Sequence, residues 1–580
     1  MKRFFGKILL LLLFASALSA LVPHAAVFAE ETGKRIEISD AAGFGAIRSD
    51  PSGSYFLTAD IVLPENFLPI EEFSGTLDGK SHSVTVKATG DFNDGYAPIM
   101  KNLGVLTGIN AVCDINITAG DYAFVGGIVA ENYGELSDCS VSGSVSVTAK
   151  AGSSDYIYAG GIAGYSEADI SECFSSVEIS LKGRGIVHVG GIAGGTTDCV
   201  VMNCTSSAAV YGEGSNVMAG GLVGECDGKA GYSSFSGSVA AKAFSVDGKN
   251  SYAYAGGISG YALDHMVQCD NSGSVTAKGG SLTSAYAGGG CGIIYGRVNR
   301  FENSGKVSAE AGLAIFAGGA AGRVGETAAE VKNTADISAS GSSATATIGG
   351  AAGKASSFEN CTSSADIFVS AAVIDVGGIC GECENATGCI SSGRIEASAR
   401  ELRAGGIAGN SRFIKGCESS CALKLSGQFT EIFAGGIAAK ALTAISASAF
   451  SGSVDVETAG GYIYAGGIVA YNCSSALNCK ATPSVTVRME TFDASGVIAV
   501  GCIAGGNYGR IAECRGTAKI YANAILNTTV HGSGRKISIF AGNNAGLTRG
   551  GGSVSDSTAQ SKINAYIISG GVAKPKLNYD

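Results

Sequence analysis

Tryptophan is absent from the 580 residues, and proline occurs only 7 times. The first absence excludes a core built on indole rings. The second excludes a collagen-like chain, which needs abundant proline beside a strict every-third glycine. Charged residues are also scarce, at 16% against 46% hydrophobic, which excludes an intrinsically disordered chain. Histidine is reduced to His24, His82, His188, His265 and His531. None is followed by Glu and no two pair at helical spacing, so the two-histidine zinc-peptidase motif is excluded. Lys+Arg number 40 against Asp+Glu 50, a net charge of −10 that disfavours nucleic acid and anionic membrane surfaces as partners.

Long apolar runs are missing except at the start. Lys2, Arg3 and Lys7 precede the run Ile8 to Phe14, and Val27-Phe28-Ala29 offers small residues for cleavage. The run is too short to span a bilayer, so residues 1–29 read as a secretory signal cut before Glu30. The mature chain is expected to be secreted or held at the cell surface, without membrane insertion after signal cleavage.

Glycine is what the chain has in excess, at 88 residues. Gly-Gly pairs followed by an apolar residue start at Gly126, Gly160, Gly190, Gly220, Gly256 and Gly288, and continue to Gly466. Degenerate copies follow at Gly501, Gly542 and Gly570. A unit near 30 residues is the mark of a solenoid. A second column holds Cys139, Cys173, Cys204, Cys269, Cys361, Cys389, Cys417, Cys479 and Cys514, and accepts Phe301 and Val331. Six residues after each member comes an aliphatic residue, as in Val145, Ile179 and Val210. Alternation such as Val177, Ile179, Leu181 selects strands over helices. Strands that repeat without a hairpin turn should stack in parallel.

The expected fold is all-β, a right-handed parallel β-helix of about 14–16 coils of ~30 residues with three short strands per coil. Residues 30–104 are expected to form an N-terminal cap and first coils, residues 105–573 the repeat, and 574–580 a tail. Val125 and Ile128 flank the glycine pair three residues apart, so a corner must fall between them if both point inward. A second corner is expected between Ile170 and Cys173.

The segments Gly126-Gly-Ile-Val-Ala-Glu-Asn-Tyr-Gly-Glu-Leu-Ser-Asp-Cys139 and Gly501-Cys-Ile-Ala-Gly-Gly-Asn-Tyr-Gly-Arg-Ile-Ala-Glu-Cys514 resemble the GLUG repeat. Gly221-Leu222-Val223-Gly224 carries its name-giving residues. The resemblance covers roughly residues 50–573. It implies a stalk of the kind found in secreted or surface-displayed bacterial proteins, including adhesin-like chains and the non-catalytic region of immunoglobulin-cleaving metallopeptidases. It brings no catalytic residues with it.

The expectation is therefore an exported, non-enzymatic scaffold for surface adhesion or display, without cofactor or metal. Its partner would be a glycan or a host or cell-surface protein. The alternative is a polysaccharide-active β-helix enzyme, a lyase or glycoside hydrolase, which would need carboxylates gathered on neighbouring coils. Glu225/Asp227 and Glu382/Glu384 are five coils apart and cannot act together. The thiol column reads as buried free cysteines acting as small hydrophobes, although Cys380-Gly-Glu-Cys383 has metal-ligand spacing. Two residues before each first glycine lies a partly aromatic column that includes Phe124, Tyr158, Tyr254 and Tyr286, expected on the outside and stacked rung on rung. It also takes His188, Asp375 and Arg403, and the last two are expected side by side as a weak surface ion pair. The longest insertion, Tyr521 to Ile539, holds Asn527, Thr528, Thr529, His531, Arg535 and Lys536. This polar, locally basic group is the candidate contact for an acidic ligand.

Overall fold

The computed structural model describes residues 35–150, 156–491, 496–526, 537–549, 552–569 and 572–575. The segment 1–29, expected to be a signal, and the last glycine anchor, Gly570, lie outside them. The chain divides into the units Met1–Ile36 and Glu37–Asp580. The second is an all-β parallel solenoid of about 14 turns, ~30 residues per turn, with 2% helix.

The glycine anchors are the register of this stack. Gly126 pairs with Gly160, Gly160 with Gly190 and Gly190 with Gly220, and the series runs to Gly501 with Gly542. The aliphatic column is equally in line, with Val145 opposite Ile179 and Ile179 opposite Val210. Inward positions such as Val125, Ile128, Leu136, Cys139, Val145 and Val147 are buried and belong to one continuous core.

The expected three strands per coil are seen where Cys380–Thr387, Ile390–Ser391 and Arg394–Gly405 follow one another, and other coils are more finely divided. One coil runs Tyr156–Gly160, Ala163–Ser166, Ile170–Ser171, Phe174–Ser175 and Glu178–Lys182. The corner before the thiol column has a physical cause. The residue just before the thiol column adopts a left-handed backbone in every one of fourteen coils, from Asp138 and Glu172 to Glu513 and Asp556, with φ between 48° and 65°. This conformation reverses the side-chain alternation locally, so that Ile170 and Cys173 both face inward.

At the glycine bend the reason for glycine is close approach. A Cβ on Gly126 would strike the carbonyl oxygen of Val129, and one on Gly127 that of Gly161 in the next coil. Neither residue has a positive φ, so the pair serves backbone packing across rungs.

Two buried amide ladders run beside the apolar core. Asn271 Nδ2 donates to Asn303 Oδ1 and Asn303 Nδ2 to Asn333 Oδ1, both at 2.7 Å. Asn102 donates likewise to Asn132, which donates to Ser166 Oγ at 2.9 Å. Each Asn also donates to a backbone carbonyl two residues on, as Asn303 does to Gly305 at 3.0 Å, so these buried polar groups are paired.

The N-terminal end is covered by a short helix, Ala41–Ala46, capped by Asp40, whose carboxylate accepts from Gly43 N at 2.7 Å. Phe44 and Ile47 are buried beneath it, and Phe44 meets Phe67 edge-on at 5.8 Å. At the other end Val572–Pro575 pairs antiparallel with Thr558–Ser569.

Candidate functional site: the groove at the glycine bend

Outward side chains on the two sides of the glycine bend meet. Tyr158 and Tyr165 lie in one coil, two before and five after its first glycine. Their rings touch edge-on at 5.4 Å. Tyr254 and Tyr261 repeat the contact at 5.4 Å, and Tyr464 and Tyr471 at 5.5 Å. Rings on successive strands can do this only if the bend folds their outer faces toward each other. The bend is therefore a re-entrant corner, and it forms a groove along the stack.

The aromatic column lies in the floor of this groove and is not an exposed stripe. Phe124, Tyr158 and Phe433 are buried. Its rings stack from rung to rung as expected: Phe124 on Tyr158 at 5.4 Å, Tyr254 on Tyr286 at 5.0 Å, Tyr286 on Phe316 at 4.9 Å. Burial, first of all, pushes the Tyr158 and Tyr254 hydroxyls well above the ordinary tyrosine range.

His188 continues the column. Its ring stacks on Tyr158 at 4.2 Å and is only 1% exposed. Nδ1 lies 3.0 Å from Glu225 Oε2, and neither ring nitrogen has an aligned hydrogen-bond partner. Glu225 stands across the groove, with Asp227 two residues on. Burial and the carboxylates of Asp198, Glu225 and Asp264 all push the Asp227 carboxyl up. A histidine beside a carboxylate could in principle move protons, but these ring nitrogens are shut away from solvent.

Toward the C-terminus the groove satisfies itself. Asp375 and Arg403 are opposite each other, as the register predicted, with Arg403 Nη1 2.7 Å from Asp375 Oδ1. The pair is far less exposed than expected, with side chains 12% and 25% accessible, because the facing column covers it. Burial pushes the Asp375 carboxyl up, and Arg403 offsets this only in part. Lys440 Nζ sits 4.1 Å over the Phe433 ring, and Lys354 pairs with Glu382 at 2.9 Å. Elsewhere charges also pair across rungs, as in Lys242–Glu213, Arg297–Glu326 and Arg488–Glu457.

Cys380 and Cys383 are buried with their sulfurs 3.2 Å apart, and Cys383 reaches Ser411 Oγ at 3.4 Å. Among the described residues no group of three or more metal-ligating side chains is present. All the cysteines are free, and only Cys473 is not fully buried. The expected ligand loop with Asn527, Thr528, Thr529, His531, Arg535 and Lys536 lies outside the described residues. In the sequence the mixed, charge-balanced column five after each first glycine, with Glu131, Tyr165, Gly195, Glu225 and Tyr261, reads as a solvated face, whereas the structure sets it against the aromatic column. The pairing of tyrosines at both −2 and +5 in single coils was the signal that the two columns meet. Searches of protein-family models, of curated proteins and of solved structures return no match to this chain.

Proposed function

We propose that the protein is an exported, non-enzymatic scaffold that presents a binding groove for adhesion or display at a cell surface. The observation that carries this reading is the groove itself. It is a continuous re-entrant corner, repeated over near-identical coils and floored by pre-stacked rings. Pre-stacking lowers the ordering cost of binding, and aromatic side chains dominate protein recognition surfaces. The His188 ring nitrogens are closed to solvent and only Glu225 of the pair reaches the groove surface, which suits a binding surface better than a reaction centre. The GLUG-like segments and the apolar N-terminal run support export.

The test is adhesion of beads coated with the purified protein to cell-surface material, beside incubation of the protein with a panel of polysaccharides. Bead retention without release of reducing ends or unsaturated sugars is the expected result. Steady release of either product would overturn the reading in favour of a polysaccharide lyase or hydrolase.

A further inference from the structure

The groove is matched with cations in one part and unmatched in another. In the coils from Tyr122 to Tyr295, four columns line it, at −4, −2, +5 and +7 from the first glycine. They carry Glu131, Glu167, Glu225 and Asp227, and no lysine or arginine. Basic residues enter these columns one coil earlier, at Lys101 opposite Glu131, and again at Arg323 and beyond. There the chain supplies its own ammonium, with Lys440 over the Phe433 ring, a −2 ring faced by a +5 lysine of the same coil.

Lys101 over the Tyr133 ring does the same at the first of these coils, but from Tyr156 to Tyr295 the columns offer rings and carboxylates without such a cation. The tyrosine ladder is interrupted there. At −2 an imidazole, His188, and then Met218 stand in place of tyrosines, and Gly195 leaves the +5 column without a side chain, between Tyr165 and Glu225. The interruption is where buried His188 points Nδ1 at Glu225 without an aligned hydrogen bond, and where carboxylates alone crowd Asp227. At the rim, Tyr122 is 60% exposed and stacks on Tyr156 at 6.0 Å, leaving its outer face open.

We propose that this segment of the groove, centred on Glu225 and Asp227, binds a lysine-bearing extended peptide segment of a partner protein. Lysine is the chemistry the fold already seats in this groove at Phe433. An ammonium between a tyrosine edge or face and a carboxylate gains both cation–ring and ionic attraction in a partly desolvated corner. Glu225 and Asp227 would touch the ligand, and His188 would hold Glu225 in place. The inference rests on the binding-scaffold reading and names its partner class.

The experiment uses the full chain and a fluorescein-labelled hexalysine peptide, read by anisotropy at low and high salt. Nε-acetylated hexalysine and a glucosamine oligomer are run alongside. Hexalysine should bind, the acetylated peptide should not, and the Glu225→Gln/Asp227→Asn double variant should weaken binding about tenfold. A control double variant with equal charge loss on another face, Glu302→Gln/Glu330→Gln, should change it by less than about twofold. If the first variant melts early, Tyr122→Ser at the exposed rim should still weaken binding. Absence of hexalysine binding, equal losses in the two double variants, or stronger binding of the glucosamine oligomer would each overturn the proposal. Bead adhesion is independent of this assay, so the scaffold reading can survive its failure.

Discussion

Arg403 Nη1 reaches both carboxylate oxygens of Asp375 across one rung, at 2.7 and 3.0 Å. The pair is mostly buried, so removing one partner strands the other. Arg403→Met should cost about 2 kcal/mol in urea unfolding, below the usual figure for a fully buried pair because Arg403 keeps some solvent contact. Asp375 also sets a pH dependence. Its folded carboxyl is raised, so the folded state keeps a proton that the unfolded chain has lost. The contribution to stability is present below the ordinary aspartate value of 3.8 and declines as pH rises through it toward the folded value. Asp375→Asn should abolish that decline in unfolding curves taken across the acid range.

The glycine bend and the left-handed corner should respond oppositely to substitution. Gly378→Ala drives a Cβ onto the Gly406 carbonyl oxygen and should cost about 2–3 kcal/mol. Gly416 has φ 63° and open space around its Cα. Other coils place Asn203, Asn360 and Asn478 at that position, so Gly416→Asn should stay within about 1 kcal/mol. Gly416→Val should be clearly worse, because a β-branched residue resists this backbone. Thermal melts of the three variants decide the matter.

Native alkylation with mass spectrometry should label Cys473 first and leave Cys361, Cys389 and Cys417 unmodified. The three form consecutive buried rungs, with Cys389 N donating to Cys417 Sγ at 3.4 Å. Burial pushes thiols up, Cys113 to about 12, and denies access to the reagent. In denaturant all 18 cysteines should react. Cys389→Asp should cost more than about 3 kcal/mol, since it buries a carboxylate without a partner.

The amide ladder gives a graded prediction. Asn303 both accepts from Asn271 and donates to Asn333, whereas Asn333 only accepts within the ladder. Asn303→Ala should therefore cost about 2–3 kcal/mol and Asn333→Ala less, by chemical denaturation.

Much of this architecture was legible in the sequence because a parallel stack repeats its demands at fixed intervals. The anchors Gly126 to Gly542, the inward thiol column and the juxtaposition of Asp375 with Arg403 all follow from period alone. The corner between Ile170 and Cys173 was legible, but its left-handed backbone was not. It is held by Asp138, Tyr232, Arg300 and Ala447 alike, exposed residues whose types share no backbone preference. The groove was hidden for a different reason. Tyr158 and Tyr165 lie seven residues apart on two strands, and nothing in strand periodicity reports whether the corner between them folds inward or outward.

In-register stacking, with Gly126 above Gly160 above Gly190, also fixes how the molecule bears load. Each coil is tied to its neighbours alone, so tension applied to the two ends acts on one interface at a time. Coils should peel from a terminus in sequence, each release freeing ~30 residues, or about 100 Å of extended chain. A solenoid built this way yields in steps under tension and keeps its remaining groove assembled.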